Sequence, residues 1–287
     1  MPATDKRAAY SLFALVVLTT ACGNLSQTAV NAMMMGIVAD MGVTVGLGQW
    51  LSTGYMLMLG VAVPAVTWIS KRFSARQHVL LGMGLSLVGS LICLAAPCFW
   101  VLLAGRVLQA VSTGILLPFM TTIAMVSFPP GRQATAMGIA GVAMGFAPNI
   151  GPTVGGAMAS AWGWRSFFVL LAGLTCLLVV CALALVKPSK PHDAAARLDA
   201  VSLSLSTLGL GGVLLGFSNA SSFALISPYV WGPLVVGAAL CAAFVVRQKR
   251  LDNPLIDLGV FRSTRFNAGF AAQNLLFASF MGVTLVV

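Results

Sequence analysis

Arg106 and Gln109 stand three residues apart in the apolar run 101–127, so any helix formed there carries both on one face. A guanidinium inside a membrane span costs about 3 kcal/mol or more. It is kept where it handles charge in a wet cavity or beside a proton-carrying group, or where it snorkels to the interface. Three further groups could support movement or binding. The segment Trp68-Ile69-Ser70-Lys71-Arg72-Phe73-Ser74-Ala75-Arg76 places Lys71, Arg72 and Arg76 between two apolar runs, and reads as an ordinary charged loop or as a latch. Gly138, Gly141, Gly145, Pro148, Pro152 and Gly155 follow at steps of three or four, with Gly151 and Gly156 beside them. That spacing is one helix seam, and its Gly and Pro content predicts close approach by another helix or a bend needed for motion. Ser26, Gln27 and Asn31, with Asn24 and Thr28, give the first apolar run its polar content; they line a cavity or bond neighbouring helices.

Other chemistry has little to stand on. The chain has no HExxH, no GxxxxGK[ST] and no His/Asp/Ser set inside an apolar run, so neither an enzyme nor a nucleotide-driven pump is expected. The six cysteines lie in or at the ends of apolar runs without a CxxC, and His78 and His192 are isolated at a run entrance and in a loop. Free packing thiols, no metal and no cofactor are the expectation. Asn219-Ala220-Ser221 is a formal glycosylation triplet that abuts an apolar run and carries no weight.

The elements that must hold these residues are helices in a bilayer. The chain is 59% hydrophobic and 8% charged, with mean hydropathy +0.97. A span needs about 20 apolar residues, and eight complete runs qualify, at 11–35, 47–69, 79–97, 101–127, 135–160, 166–186, 200–220 and 228–246, with a ninth at 266–287 that the chain end cuts into. Lipid offers backbone groups no partners and these runs are too long for barrel strands, so an all-α polytopic membrane protein is predicted. Lys6 and Arg7 before a run, with Cys22 after Leu18-Thr19-Thr20-Ala21, give a loose signal-like pattern. The leucine is one position early and the apolar run continues, so cleavage is not expected.

Charge orients the bundle. With alternating spans, 14 of the 16 Lys and Arg fall on one side, and the opposite loops near Asp40, Pro97 and Ser221 carry none. The remaining two, Arg106 and Arg165, lie within or beside spans. The N-terminus is therefore expected in the cytoplasm and Arg106 in the outer half of its span. The formal charge of +10 reads as topology and attraction to anionic lipid, without nucleic acid. The acids Asp5, Asp40, Asp193, Asp199, Asp252 and Asp257 all avoid the span interiors. Proton coupling would need a titrating group from elsewhere.

With these motifs in place, the chain resembles the major facilitator superfamily, in its fourteen-helix drug:proton antiporter branch. The resemblance rests on the loop WISKRFSAR, the Arg106/Gln109 pair and the span-five signature Gly145 to Gly156. It is extended by Thr28-Ala29-Val30-Asn31, Gln49-Trp50 with Thr53-Gly54-Tyr55, Gly163-Trp164-Arg165, Leu198-Asp199, Pro254-Leu255 and Phe261-Arg262. It implies a major-facilitator-type bundle with a cytoplasmic N-terminus (1–10), a six-helix N-terminal bundle (11–186), a cytoplasmic linker (187–199), two inserted helices (200–246), a basic loop (247–265) and the first helix of a second bundle (266–287). It also implies gating by Lys71, Arg72 and Arg76, a proton relay or cavity role for Arg106 and Gln109, and a sliding antiporter seam at Gly141, Gly145, Pro148, Gly151, Pro152, Gly155 and Gly156. Substrate would meet Ser26, Gln27 and Asn31. Departures are Lys71 where the family carries an acid, Ser74 in place of a glycine, Gly131 where an acid is expected, and Ser26 in place of the span-one acid.

Two functions follow from that likeness. One is alternating-access efflux of small amphipathic compounds or drugs across a bacterial inner membrane, with proton coupling open and Met33, Met34, Met35, Met56 and Met58 near an apolar cavity. The other is a non-transporting truncated protein or a partner of a full-length transporter. Val287 ends the last run without a polar cap, so the chain reads as incomplete. A frame continuing past Val287 favours the first.

Overall fold

The structure is a computed structural model that describes residues 3–186, 199–220, 226–251, 258–264 and 266–275. The linker cations Lys187, Lys190 and Arg197, the segment around Pro254, and most of the expected ninth span lie outside the described residues.

Every described element is helical. In chain order they are α1 Ala3–Met41, α2 Val45–Gly48, α3 Trp50–Ala62, α4 Ala65–Arg72, α5 Ala75–Ala95, α6 Phe99–Ser127, α7 Pro130–Trp162, α8 Arg165–Leu185, α9 Ala200–Asn219 and α10 Pro228–Gln248, followed by a 3-10 turn at Leu258–Arg262. Residues 266–275 are helical as well. Local chemistry sets the boundaries. Ser74 and Gln77 form a reciprocal capping box that starts α5. Pro129 and Pro130 start α7, and Gly163 at φ 80° ends it, a conformation that favours glycine.

Among the described residues six helices are long and apolar enough to cross a membrane, seven when the pair α2–α3 and α4 counts as one span. That pair corrects the expectation of an unbroken span at 47–69: it bends by 54°. Pro64 lies in the break and lacks the N–H that would continue the ladder. α7 has 33 residues, but its Gly, Pro and Asn content keeps it out of the six.

α1 is the hub, packed against α7, α6, α8 and α3; α5 lies on α6 and α8, and α3 on α6. Val16, Ala29, Val30, Ile37, Leu51, Leu102, Leu116, Phe167 and Phe168 fill the interior. α9 and α10 pair with each other, and α9 leans on α3. Asp199 caps α9 by accepting from the Ser202 N–H, and Arg247 of α10 pairs with the same carboxylate at 3.1 Å.

Candidate functional site: a buried arginine and an open helix flank

Arg106 is fully buried where α6 meets α1, α3 and α5. Its Nη1 donates to Ser26 Oγ and to Gln109 Oε1, both at 2.8 Å. Gln109 Nε2 passes the chain on to Ser90 Oγ at 2.9 Å, and Ser90 donates to the Ser86 carbonyl at 2.8 Å. The guanidinium carbon lies 4.3 Å from the centre of the Tyr55 ring. The Tyr55 hydroxyl shares a 2.8 Å hydrogen bond with Thr113 Oγ1, which in turn donates to the Gln109 carbonyl at 3.1 Å. Arg106 Nε and Nη2 meet no hydrogen-bond partner among the described residues.

This cluster settles the choice between snorkelling and burial: Arg106 points inward. Its neighbours are neutral ones, hydroxyl and amide oxygens and a ring face, which offset part of the cost of a desolvated cation. No described carboxylate is among them. Among the described side chains both ion-paired acids lie elsewhere: Asp40 with Arg165 at 2.7 Å and Asp199 with Arg247.

The Gly/Pro spacing in α7 serves two flanks rather than the one seam expected. Gly151 and Gly155 press on α1, where an added Cβ would sit 2.7 Å from the Leu25 carbonyl oxygen and 2.8 Å from Ala29 Cβ respectively. No side chain larger than hydrogen fits there without moving backbone. Ala136, Ala140 and Ala147 extend the same packed face. By contrast, no atom of the described residues lies within 4 Å of a Cβ added at Gly138, Gly141, Gly145 or Gly156. Pro152 is exposed and Pro148 half-buried. Asn149 Nδ2 donates to the Gly145 carbonyl at 2.6 Å on this open flank. The rotation has a simple cause: at 3.6 residues per turn, 151 and 155 continue the alanine row, whereas 138, 141 and 145 lie to one side.

At the junction of α4 and α5, Lys71 and Arg72 end α4 and Arg76 lies in the first turn of α5. Arg76 Nη2 donates to the Leu183 carbonyl at 3.0 Å, covering the C-terminal end of α8. Arg132 Nη1 donates to the Tyr10 hydroxyl at 3.1 Å. His78 is fully buried in the first turn of α5, stacked on Phe119 and in contact through Nε2 with the Ile115 carbonyl at 3.2 Å.

The profile of the Major Facilitator Superfamily matches residues 16–287. The chain belongs to the major facilitator superfamily. It is 36% identical over 243 residues to the uncharacterized MFS-type transporter YhcA of Bacillus subtilis, covering 85% of this chain and 46% of that protein. It is 34% identical over 249 residues to the lincomycin resistance protein LmrB of Bacillus subtilis, covering 86% and 52%. The multidrug resistance protein B homolog of Mycobacterium tuberculosis is 32% identical over 251 residues, covering 86% and 46%. The chain thus spans about half the length of the curated relatives it matches. Among solved structures, the peptide transporter POT in complex with sulfate superposes with TM-score 0.61 at 16% identity, covering 86% of this chain and 53% of that one. That likeness speaks for the fold alone.

Within this superfamily member, Arg106, Gln109 and Ser26 come together in one network. Gln27 is half-buried, whereas Asn31 is exposed and accepts from Ser52 of α3. Lys71, Arg72 and Arg76 flank one loop, between α4 and α5. Tyr55, Thr113 and Ser90 were absent from the expected site. Tyr55 carried one signal, a tyrosine inside an apolar run; the two hydroxyl residues carried none.

Proposed function

We propose that the chain forms the N-terminal six-helix bundle and the two inserted helices of a drug-efflux transporter of the fourteen-helix branch. In this reading α7 slides against a second bundle along its open Gly/Pro flank while α1 and α7 move as one body. The observation that carries it is the division of α7: one face locked to α1 by Gly151 and Gly155, the other bare at Gly141 and Gly145. A flank of glycines with no neighbour among the described residues suits a partner helix that must approach closely and still shift. The named resistance relatives support amphipathic drugs as cargo, and the distribution of basic residues supports a cytoplasmic N-terminus in a bacterial inner membrane.

Arg106 supplies the fixed positive charge near the substrate path. With Ser26 as its α1 partner, it has no acid of its own to exchange a proton with. Coupling to protons in this reading rests on a titrating group beyond the residues described. The test is efflux of lincomycin and of a fluorescent dye from a pump-deficient bacterium expressing the gene in its full genomic frame, with and without a proton gradient. Efflux above the empty-vector level supports the proposal. Efflux equal to the empty vector at confirmed membrane expression contradicts it.

A further inference from the structure

Tyr55 of α3 is fully buried and touches three other parts of the bundle core. Its ring face lies 4.3 Å from the Arg106 guanidinium carbon. Its hydroxyl donates to the Gly23 carbonyl of α1 at 3.2 Å and shares a 2.8 Å hydrogen bond with Thr113 Oγ1 of α6. The helices are close together here. A Cβ added at Gly23 would run into Thr113 Oγ1, and one added at Gly114 of α6 would sit 2.6 Å from the Leu59 carbonyl oxygen of α3. Both close contacts depend on glycine, so the backbones of α1, α3 and α6 meet around the tyrosine and hold it in place.

The cation beside it is held less completely. Arg106 uses only Nη1, on Ser26 and Gln109, while Nε and Nη2 find no partner among the described residues. Two bonds through one nitrogen tether that nitrogen but leave the guanidinium plane free to tilt about it. The ring face limits the tilt, and a desolvated cation is drawn to such a face by the ring quadrupole.

We propose that Tyr55 is a positioning residue for Arg106: its ring sets the plane of the guanidinium, and its hydroxyl, tied to α1 and α6, sets the ring. The consequence for transport rests on the efflux reading above; the contact itself does not. Arg106 is closed off inside the bundle, so cargo does not meet it in this conformation, and a misplaced charge slows the transport cycle rather than weakening cargo binding. The hydroxyl is the lesser part. Its loss leaves Thr113 donating to the Gln109 carbonyl and orphans no donor.

Two measurements on the full genomic product test the proposal. The first needs no transport: a cycle of melting temperatures in detergent for Y55L, R106L and the double variant. The fall caused by Y55L is expected to be about twofold larger or more beside Arg106 than in the R106L background. Equal falls would reduce the ring to packing and overturn the proposal. The second is efflux as a function of cargo concentration. Y55L is expected to lower the maximal rate about tenfold with the half-saturating concentration unchanged, and Y55F to keep about half of the parent rate or more. Parent-like efflux by Y55L, or equal losses in Y55F and Y55L, would overturn the proposal and leave the efflux reading intact. A parent protein at the empty-vector level would contradict that reading instead, and the melting cycle would still decide the contact. If Y55L fails to reach the membrane, Y55M, which fills the space without a ring face, replaces it in both measurements.

Discussion

Arg106 keeps a charge in the core of a helical bundle with Nε and Nη2 unpartnered. Each unsatisfied buried donor costs about 1–3 kcal/mol, which the Tyr55 ring and the Ser26 and Gln109 oxygens offset only in part. Such a charge adds no net stability, and an apolar side chain of similar volume there is often neutral or better. Arg106→Met is therefore expected to leave thermal stability in detergent unchanged or higher while abolishing efflux. A marked fall in melting temperature would make the arginine a structural element instead. Ser26→Asp places a carboxylate against the unsatisfied guanidinium, and is expected to raise stability by about 3 kcal/mol or less, read from the same melts. At this scale the sequence was partly legible: a charge in an apolar run announces itself. Its partners came from three other helices, and nothing in local spacing ties Ser26, Tyr55 or Ser90 to residue 106.

At the scale of elements, α7 separates folding from movement. Gly151→Leu drives a side chain into the Leu25 carbonyl and Thr28 of α1. It should destabilise the bundle by about 3 kcal/mol or more, seen as poor membrane yield or early melting. Loss of efflux in that variant would say nothing about sliding. Gly145→Leu meets empty space and should fold normally. The seam was legible as a helix with unusual small residues, but not which flank would pack. Gly and Pro are small in every direction, and the alanines at 136, 140 and 147 that mark the packed face look like ordinary filler in the sequence. The bend at Pro64 was missed for a related reason: hydropathy averages across a break that a single missing N–H produces.

The α9–α10 pair is clamped at one end by Asp199 and Arg247. Partial burial pushes the Asp199 carboxyl up, but hydrogen bonds from Ser202 and Arg247 outweigh it and hold the pKa below its ordinary 3.8. A depressed carboxyl contributes stability that is present above pH 3.8 and is lost as pH falls through the lower folded value. Asp199→Asn should therefore melt earlier than the parent at pH 7, by about 1 kcal/mol or less given the exposure of the pair, and match it in strong acid. A difference that persists in acid would assign the effect to the helix cap alone.

For the whole molecule, helical class and bundle type were open to sequence reasoning because a bilayer leaves few alternatives for long apolar runs. The arrangement of helices around α1 was not, since apolar faces look alike all round. Efflux in the proposed function depends on the bare flank of α7 being a moving contact. Its most direct measurement is drug efflux by Gly145→Leu in the full genomic product, beside the melting temperature of the same preparation. Normal melting with efflux reduced at least tenfold is the predicted result; normal melting with undiminished efflux would contradict the account.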